Sequence, residues 1–214
     1  MVFYRKIQSM KRIILCFLLI FSCQKKNEKP SVKSADKKIE TSLSQTEVSQ
    51  QESLEEISRA ILQSVKSQNY GVFESKIHPA KGVRFSMYAF VDENRDKVFT
   101  KEDFRKFIDS KIIFTWGEKD GSGELYKTTL RNYLSDWMLK KDFSSGKLSV
   151  NSFQASGNSL NNLREVYPDS KFVEFYLPGT DEDSKMDWFA LRLVFEKLDG
   201  IYYLTGVIND QWTI

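Results

Sequence analysis

Three features of this chain carry residue types that could do chemistry. They are one histidine, a carboxylate set in an apolar strand, and an acidic run, "DENRDKVFTKED". Asp210 alternates with Ile208 and Trp212 in the closing segment. A carboxylate on an apolar face is desolvated, which raises its pKa and suits it to general-base work. Asp210, Trp212 and Phe189 are therefore candidates to line a ligand pocket. His78 precedes Pro79 at an expected helix end. The helix dipole favours a histidine there, and near neutral pH it could also act as acid or base. Asp210 and His78 are the catalytic candidates. Arg192 stands in an apolar run near Trp188 and Tyr203. Stacking on those rings across a half-exposed sheet is its expected role, and contact with an anion is the alternative.

Several chemistries are excluded. The two cysteines, Cys16 and Cys23, both lie near the amino terminus, so the remainder has no thiol nucleophile, thiolate metal site or disulfide. One histidine rules out a multi-histidine zinc centre. No G-x-S-x-G turn supports a serine triad, and "GEKDGSGE" lacks the lysine spacing of a phosphate loop.

The acidic run resembles an EF-hand loop. Asp92, Asn94, Asp96 and Asp103 take the first, third, fifth and twelfth positions, and would be the ligands of a calcium ion. Lys97 stands where that loop needs glycine, and Asp103 where it uses the longer glutamate. Acidic turn residues between two elements are the simpler expectation.

The amino terminus speaks to address. Ile13–Phe21 is a run of nine apolar residues behind Lys11 and Arg12. A spanning helix needs about 20 such residues, so nine suit the core of an export signal. "LLIFSC" resembles a bacterial lipobox, with Phe21 departing from its usual small residue. The resemblance implies cleavage after Ser22 and acylation of Cys23 by palmitate-like chains. Each buried CH₂ contributes about 0.8 kcal/mol, so two or three chains anchor stably. Gln24 follows, where an Asp would signal inner-membrane retention, so the outer membrane of a Gram-negative envelope is expected. Met10 is an alternative start to Met1.

Of 32 basic residues, four lie in the first 22; the other 28 against 29 acidic ones give the remainder a net charge of −1. Nothing in that balance calls for nucleic acid. The expected partners are the membrane, through the anchor, and a small ligand or another envelope protein.

The expected organisation is a signal over 1–22, lipidated Cys23 and a disordered tether over 23–52, and one domain over 53–214. Residues 24–51 hold no aromatic side chain and many Lys, Ser, Gln and Glu. Such a segment cannot offset its ordering entropy and would span roughly 30 Å. Helical spacing of Leu54, Ile57, Ile61, Leu62 and Val65 predicts a helix over 53–67. A second short helix ends by Pro79, "VRFSMYAFV" reads as a strand, and "TKEDFRKFID" as a helix capped by Thr100. "KIIFTW" reads as a strand. A longer helix is expected over 125–142, burying Leu130, Tyr133, Leu134, Trp137 and Met138. Strands follow at 147–154, 171–177, 187–197 and 201–212, the last two joined by a tight turn at Asp199-Gly200.

That turn sets a register. Pairing outward puts Phe195 opposite Leu204, Leu191 opposite Ile208 and Phe189 opposite Asp210. Phe189, Leu191, Leu193, Phe195, Leu204 and Ile208 then form the core face, with Asp210 on it. Trp188, Arg192, Val194, Tyr203 and Thr205 form the other.

Helices followed by strands predict an α+β domain, its helices packed on a curved antiparallel sheet. The opening "ESKIHPAKGVRFS" and closing "LRLVFEKLDGIYYLTGVI" resemble the nuclear transport factor 2-like, cystatin-like superfamily, which implies a cone of sheet wrapped on helices. The domain also resembles uncharacterised exported bacterial proteins ending in "DQWTI". The superfamily holds enzymes, binding modules and dimerisation domains, so fold alone does not decide function. A non-catalytic, lipid-anchored binding module is the leading expectation. A cone enzyme using Asp210 and a calcium-stabilised module are the alternatives.

Overall fold

The computed structural model describes residues 52–155, 157–180 and 185–214. The expected signal, Cys23 and all but the last residue of the expected tether lie outside the described residues. No described helix is long and apolar enough to cross a membrane.

Helix α1, Leu54–Lys66, starts where Ser53 and Glu56 cap each other reciprocally. Ile57, Ile61, Leu62 and Val65 form its buried stripe. Helix α2, Gly71–Lys76, packs beside it and ends two residues before His78. Strand β1, Val83–Ser86, is followed by a short strand not foreseen from sequence, β2, Lys97–Phe99. Helix α3, Lys101–Phe107, carries the expected Thr100 cap, closed by Asp103.

The helix expected over 125–142 is a composite. Its first part is strand β4, Leu125–Thr128, which pairs with β3, Phe114–Glu118. Thr129 then caps α4, Leu130–Tyr133, which widens into a π-type turn over Leu134–Met138. The expected stripe is nonetheless buried: Leu130, Tyr133, Leu134, Trp137 and Met138 all face the core. Thr128 and Thr129 explain the break, since β-branched and capping residues favour strand and helix start over helix interior.

Strands β5, Lys147–Val150, β6, Lys171–Leu177, β7, Phe189–Leu198, and β8, Ile201–Gln211, complete a six-stranded sheet in the order β2-β1-β8-β7-β6-β5. The sheet is mixed, which corrects the antiparallel expectation: β1 runs parallel to β8. The two strands lie far apart in sequence, so no hairpin rule fixes their direction. His78 N–H donating to Leu204 C=O at 3.0 Å starts that pairing.

The helices and the β3–β4 ribbon cover one face of the sheet and enclose the main core. The other face is not half-exposed as expected. The β5–β6 connection, carrying α5, Leu163–Val166, crosses it. Leu163 and Tyr167 pack there on Phe172, Val194 and Ile208, while Ala155 packs on Trp188 and Ala190.

The second correction concerns register. The Asp199-Gly200 turn has positive φ at both residues, 49° and 85°. Leu198 pairs with Ile201 and Phe195 with Leu204, as the turn dictates. Thr205 then has no residue opposite it, and Val194 pairs with Gly206. This bulge slips β8 by one residue, and one residue exchanges the faces of everything beyond it. Val207 and Asn209 enter the main core side, whereas Ile208 and Asp210 turn to the outer face. Gly206 permits the bulge: a Cβ there would lie 3.2 Å from Val194 and 3.3 Å from the Tyr167 hydroxyl.

Candidate functional site

The bulge brings three charges together on adjacent strands. Glu174 of β6 lies directly opposite Arg192 of β7, and Asp210 of β8 pairs two residues along, opposite Ala190. Arg192 Nε donates to Glu174 at 2.7 Å, and its Nη2 donates to Asp210 at 2.6 Å. The Arg192 side chain is 0% exposed. Its guanidinium lies 4.9 Å from the ring centre of Phe153, not on Trp188 or Tyr203 as expected, and the anions it contacts are the protein's own carboxylates. Glu174 also accepts from the Gln154 and Ala155 amides, which ties the covering segment to the sheet.

Asp210 is thus a buried ion-pair partner on the outer face. Burial pushes its pKa up against the opposing pull of Arg192. The grouping expected around it is divided. Trp212 packs on the outer face with Ala155 and Trp188, whereas Phe189 belongs to the main core side and pairs with Gln211. Its Oδ2 is committed to Arg192 and its Oδ1 is buried without a hydrogen-bond partner, so Asp210 lacks the access to substrate that a general base needs.

His78 is 5% exposed and serves the turn that follows it. Its Nδ1 accepts from the Ala80 and Lys81 amides at 3.2 and 3.0 Å. Burial lowers its pKa, the Glu196 charge opposing that shift. The neutral ring with its proton on Nε2 is the state this turn requires, in place of a cation held by the helix dipole.

The acidic run folds on its own backbone. Asp92 Oδ1 accepts from Asn94 N–H at 3.0 Å, and Asp96 Oδ2 accepts from Asp92 N–H at 3.0 Å. Asp103 closes the Thr100 cap. Among the described residues no group of three or more His, Cys, Asp or Glu is placed to hold a metal ion. Burial raises the Asp96 pKa to about 6.

The cavity best suited to a ligand lies elsewhere, in a groove of about 420 Å³ between α1, the segment after α4, and β6. Leu62, Leu139, Phe143 and Phe175 make its apolar floor, and Arg59, Lys66, Lys141 and Asp142 its charged rim. On α1, positions 59, 62, 63 and 66 fall at helical i, i+3, i+4 and i+7 spacing, so one stripe supplies both floor and rim. The size falls within the roughly 300–1,000 Å³ common for small-molecule sites. A second cleft, of about 360 Å³, lies at Tyr88, Tyr126 and Trp137, but its polar groups bond one another: Tyr126 to Asp136, and Lys140 to Gln211.

Neither the triad nor the groove was identified from sequence. Arg192 inside "LRLVF" was the available signal for the first: a cation in a continuous apolar run needs a buried counter-charge. The groove had none, because three separate segments build it.

No protein-family model matches the chain, that of the nuclear transport factor 2 superfamily included, and no curated protein matches it. A solved structure that does match is a DUF4783 family protein from Bacteroides ovatus. It is 11% identical, covers 71% of this chain and 91% of its own, and has a TM-score of 0.26. At that score the likeness carries no argument about fold or activity.

Proposed function

We propose that this is a non-catalytic ligand-binding module of the bacterial cell envelope, held to the membrane through an acylated Cys23. The groove beside α1 is its ligand site. The observation that carries the reading is the pairing of an apolar floor with a charged rim in a cavity of about 420 Å³. Asp210 and His78, the residues that would have carried an enzyme, are engaged in ion pairing and turn formation. The address rests on the nine-residue apolar core and the lipobox-like "LLIFSC".

Two measurements test it. Mass spectrometry of the mature protein should find an acylated cysteine at position 23; an unmodified thiol behind an intact leader would refute the anchor. The mature chain from residue 23, carrying Cys23→Ser, should bind the uncharged fluorophore N-phenyl-1-naphthylamine saturably and one-to-one. Gln63→Trp, which fills the groove from an exposed helix position, should abolish that binding. Binding unaffected by this variant would place the ligand site elsewhere.

A further inference from the structure

We propose that the groove selects a single-chain anionic amphiphile, its tail on the apolar floor and its carboxylate head between Arg59 and Lys141. The inference deepens the ligand-site reading above and rests on it. The rim charges are unequal. Lys66 pairs with Asp142 at 3.0 Å. Asp142 in turn holds the Phe143–Ser145 turn, accepting from Ser144 N–H at 3.1 Å and from its hydroxyl at 2.6 Å. That pair is therefore a neutral part of the wall.

Arg59 and Lys141 have no such partner: among the described residues neither meets a carboxylate within ion-pair distance. Lys141 instead places its ammonium 4.7 Å from the Phe189 ring centre, with Lys140 at 5.3 Å from the same ring. The mouth thus offers two cations without a carboxylate partner above an apolar floor. An anion meets complementary charge there, while a cation is repelled.

The floor argues for one chain. The cavity, about 420 Å³, stands towards the small end of the range for ligand sites, which suits one tail better than the two of a phospholipid. Arg59 and Lys66 are two helical turns apart on α1, so the rim follows the groove's length and the head can sit at one end while the tail runs beneath.

Competition against N-phenyl-1-naphthylamine on the mature Cys23→Ser chain tests this, with decanoate, 1-decanol and acetate as competitors. Decanoate should bind at least tenfold more tightly than 1-decanol, weaken as salt is raised, and acetate should not compete. The double variant Arg59→Gln/Lys141→Gln should bring decanoate to the 1-decanol value, leaving 1-decanol binding and Tm unchanged, since both residues are exposed. Equal affinities for decanoate and 1-decanol, or no effect of the double variant, would overturn the head-group assignment alone. Competition by acetate would show an anion site without a tail and overturn the amphiphile. Failure of the fluorophore and 1-decanol to bind would overturn the ligand groove itself.

Discussion

Replacing Arg192 by methionine should cost about 4 kcal/mol of stability at pH 7. The side chain is buried and makes charge-assisted bonds of 2.7 and 2.6 Å to Glu174 and Asp210. With charge centres about 4 Å apart and an effective dielectric near 20, each pair is worth about 4 kcal/mol before desolvation is counted. Desolvation offsets much of that sum, but the substitution leaves two buried carboxylates with no cation, and breaking one side of such a pair commonly costs about 3–5 kcal/mol. For a domain of this size the loss corresponds to a fall in Tm of roughly 8–16 °C. The deficit should shrink on acidification. Protonation neutralises the stranded Asp210, whose pKa burial already raises. Urea unfolding of both proteins at pH 7 and pH 4 measures it, the pH dependence shared by the two cancelling in the difference. The triple variant Glu174→Gln/Arg192→Met/Asp210→Asn removes the charges together and should recover at least half the loss; it keeps the test decisive if the single variant fails to fold. A difference under about 1 kcal/mol, or one equal at both pH values, would refute the account of the triad.

Gly206→Ala should destabilise by about 1–3 kcal/mol, because its Cβ would press on Val194 and the Tyr167 hydroxyl; a neutral result in thermal unfolding would mean the bulge is more open than described. His78 has a lowered folded pKa, so the unfolded chain binds more protons below about pH 6.5 and stability falls as pH drops through that value towards the folded one. His78→Gln should lose about 1–2 kcal/mol at pH 7.5 with the two amide bonds to the ring, and denaturant titrations at pH 5 and 7.5 should show that deficit shrinking at pH 5, the Asp96 titration being common to both proteins and cancelling in the difference. Because the Asp92, Asp96 and Asp103 carboxylates accept from the chain's own amides, adding calcium or a chelator should leave Tm unchanged; a calcium-dependent rise of several degrees would restore the metal-loop reading.

What the sequence reveals here follows the range of the interactions involved. The Ser53 start of α1, the Thr100 cap and the Asp199-Gly200 turn depend on residues within a few positions of one another, and all are where the residue types place them. The buried stripe from Leu130 to Met138 was legible although its helix begins late and ends in a π-type turn, since burial follows periodicity more faithfully than hydrogen-bond pattern does. The parallel β1–β8 pairing and the crossing of the β5–β6 connection depend on contacts across most of the chain, and no local pattern reports them.

The bulge at Thr205 lies between these cases, and the functional reading turns on it. Gly206 was its visible signal, because glycine inside a strand marks a bulge or a close approach. Without the bulge, Asp210 would face the core side beside Phe189, in place to line the mouth of a cone. With it, Asp210 meets Arg192, the charge that "LRLVF" leaves in need of a partner, and one inserted residue compensates both anomalies. The core side of the sheet keeps Leu191, Leu193, Phe195 and Val207, all fully buried, so that face is filled with aliphatic and aromatic packing. The opening the fold leaves lies where a helix stripe and a loop approach the sheet without closing on it, the groove over Phe175 rimmed by Arg59 and Lys141, and the proposed ligand would enter there.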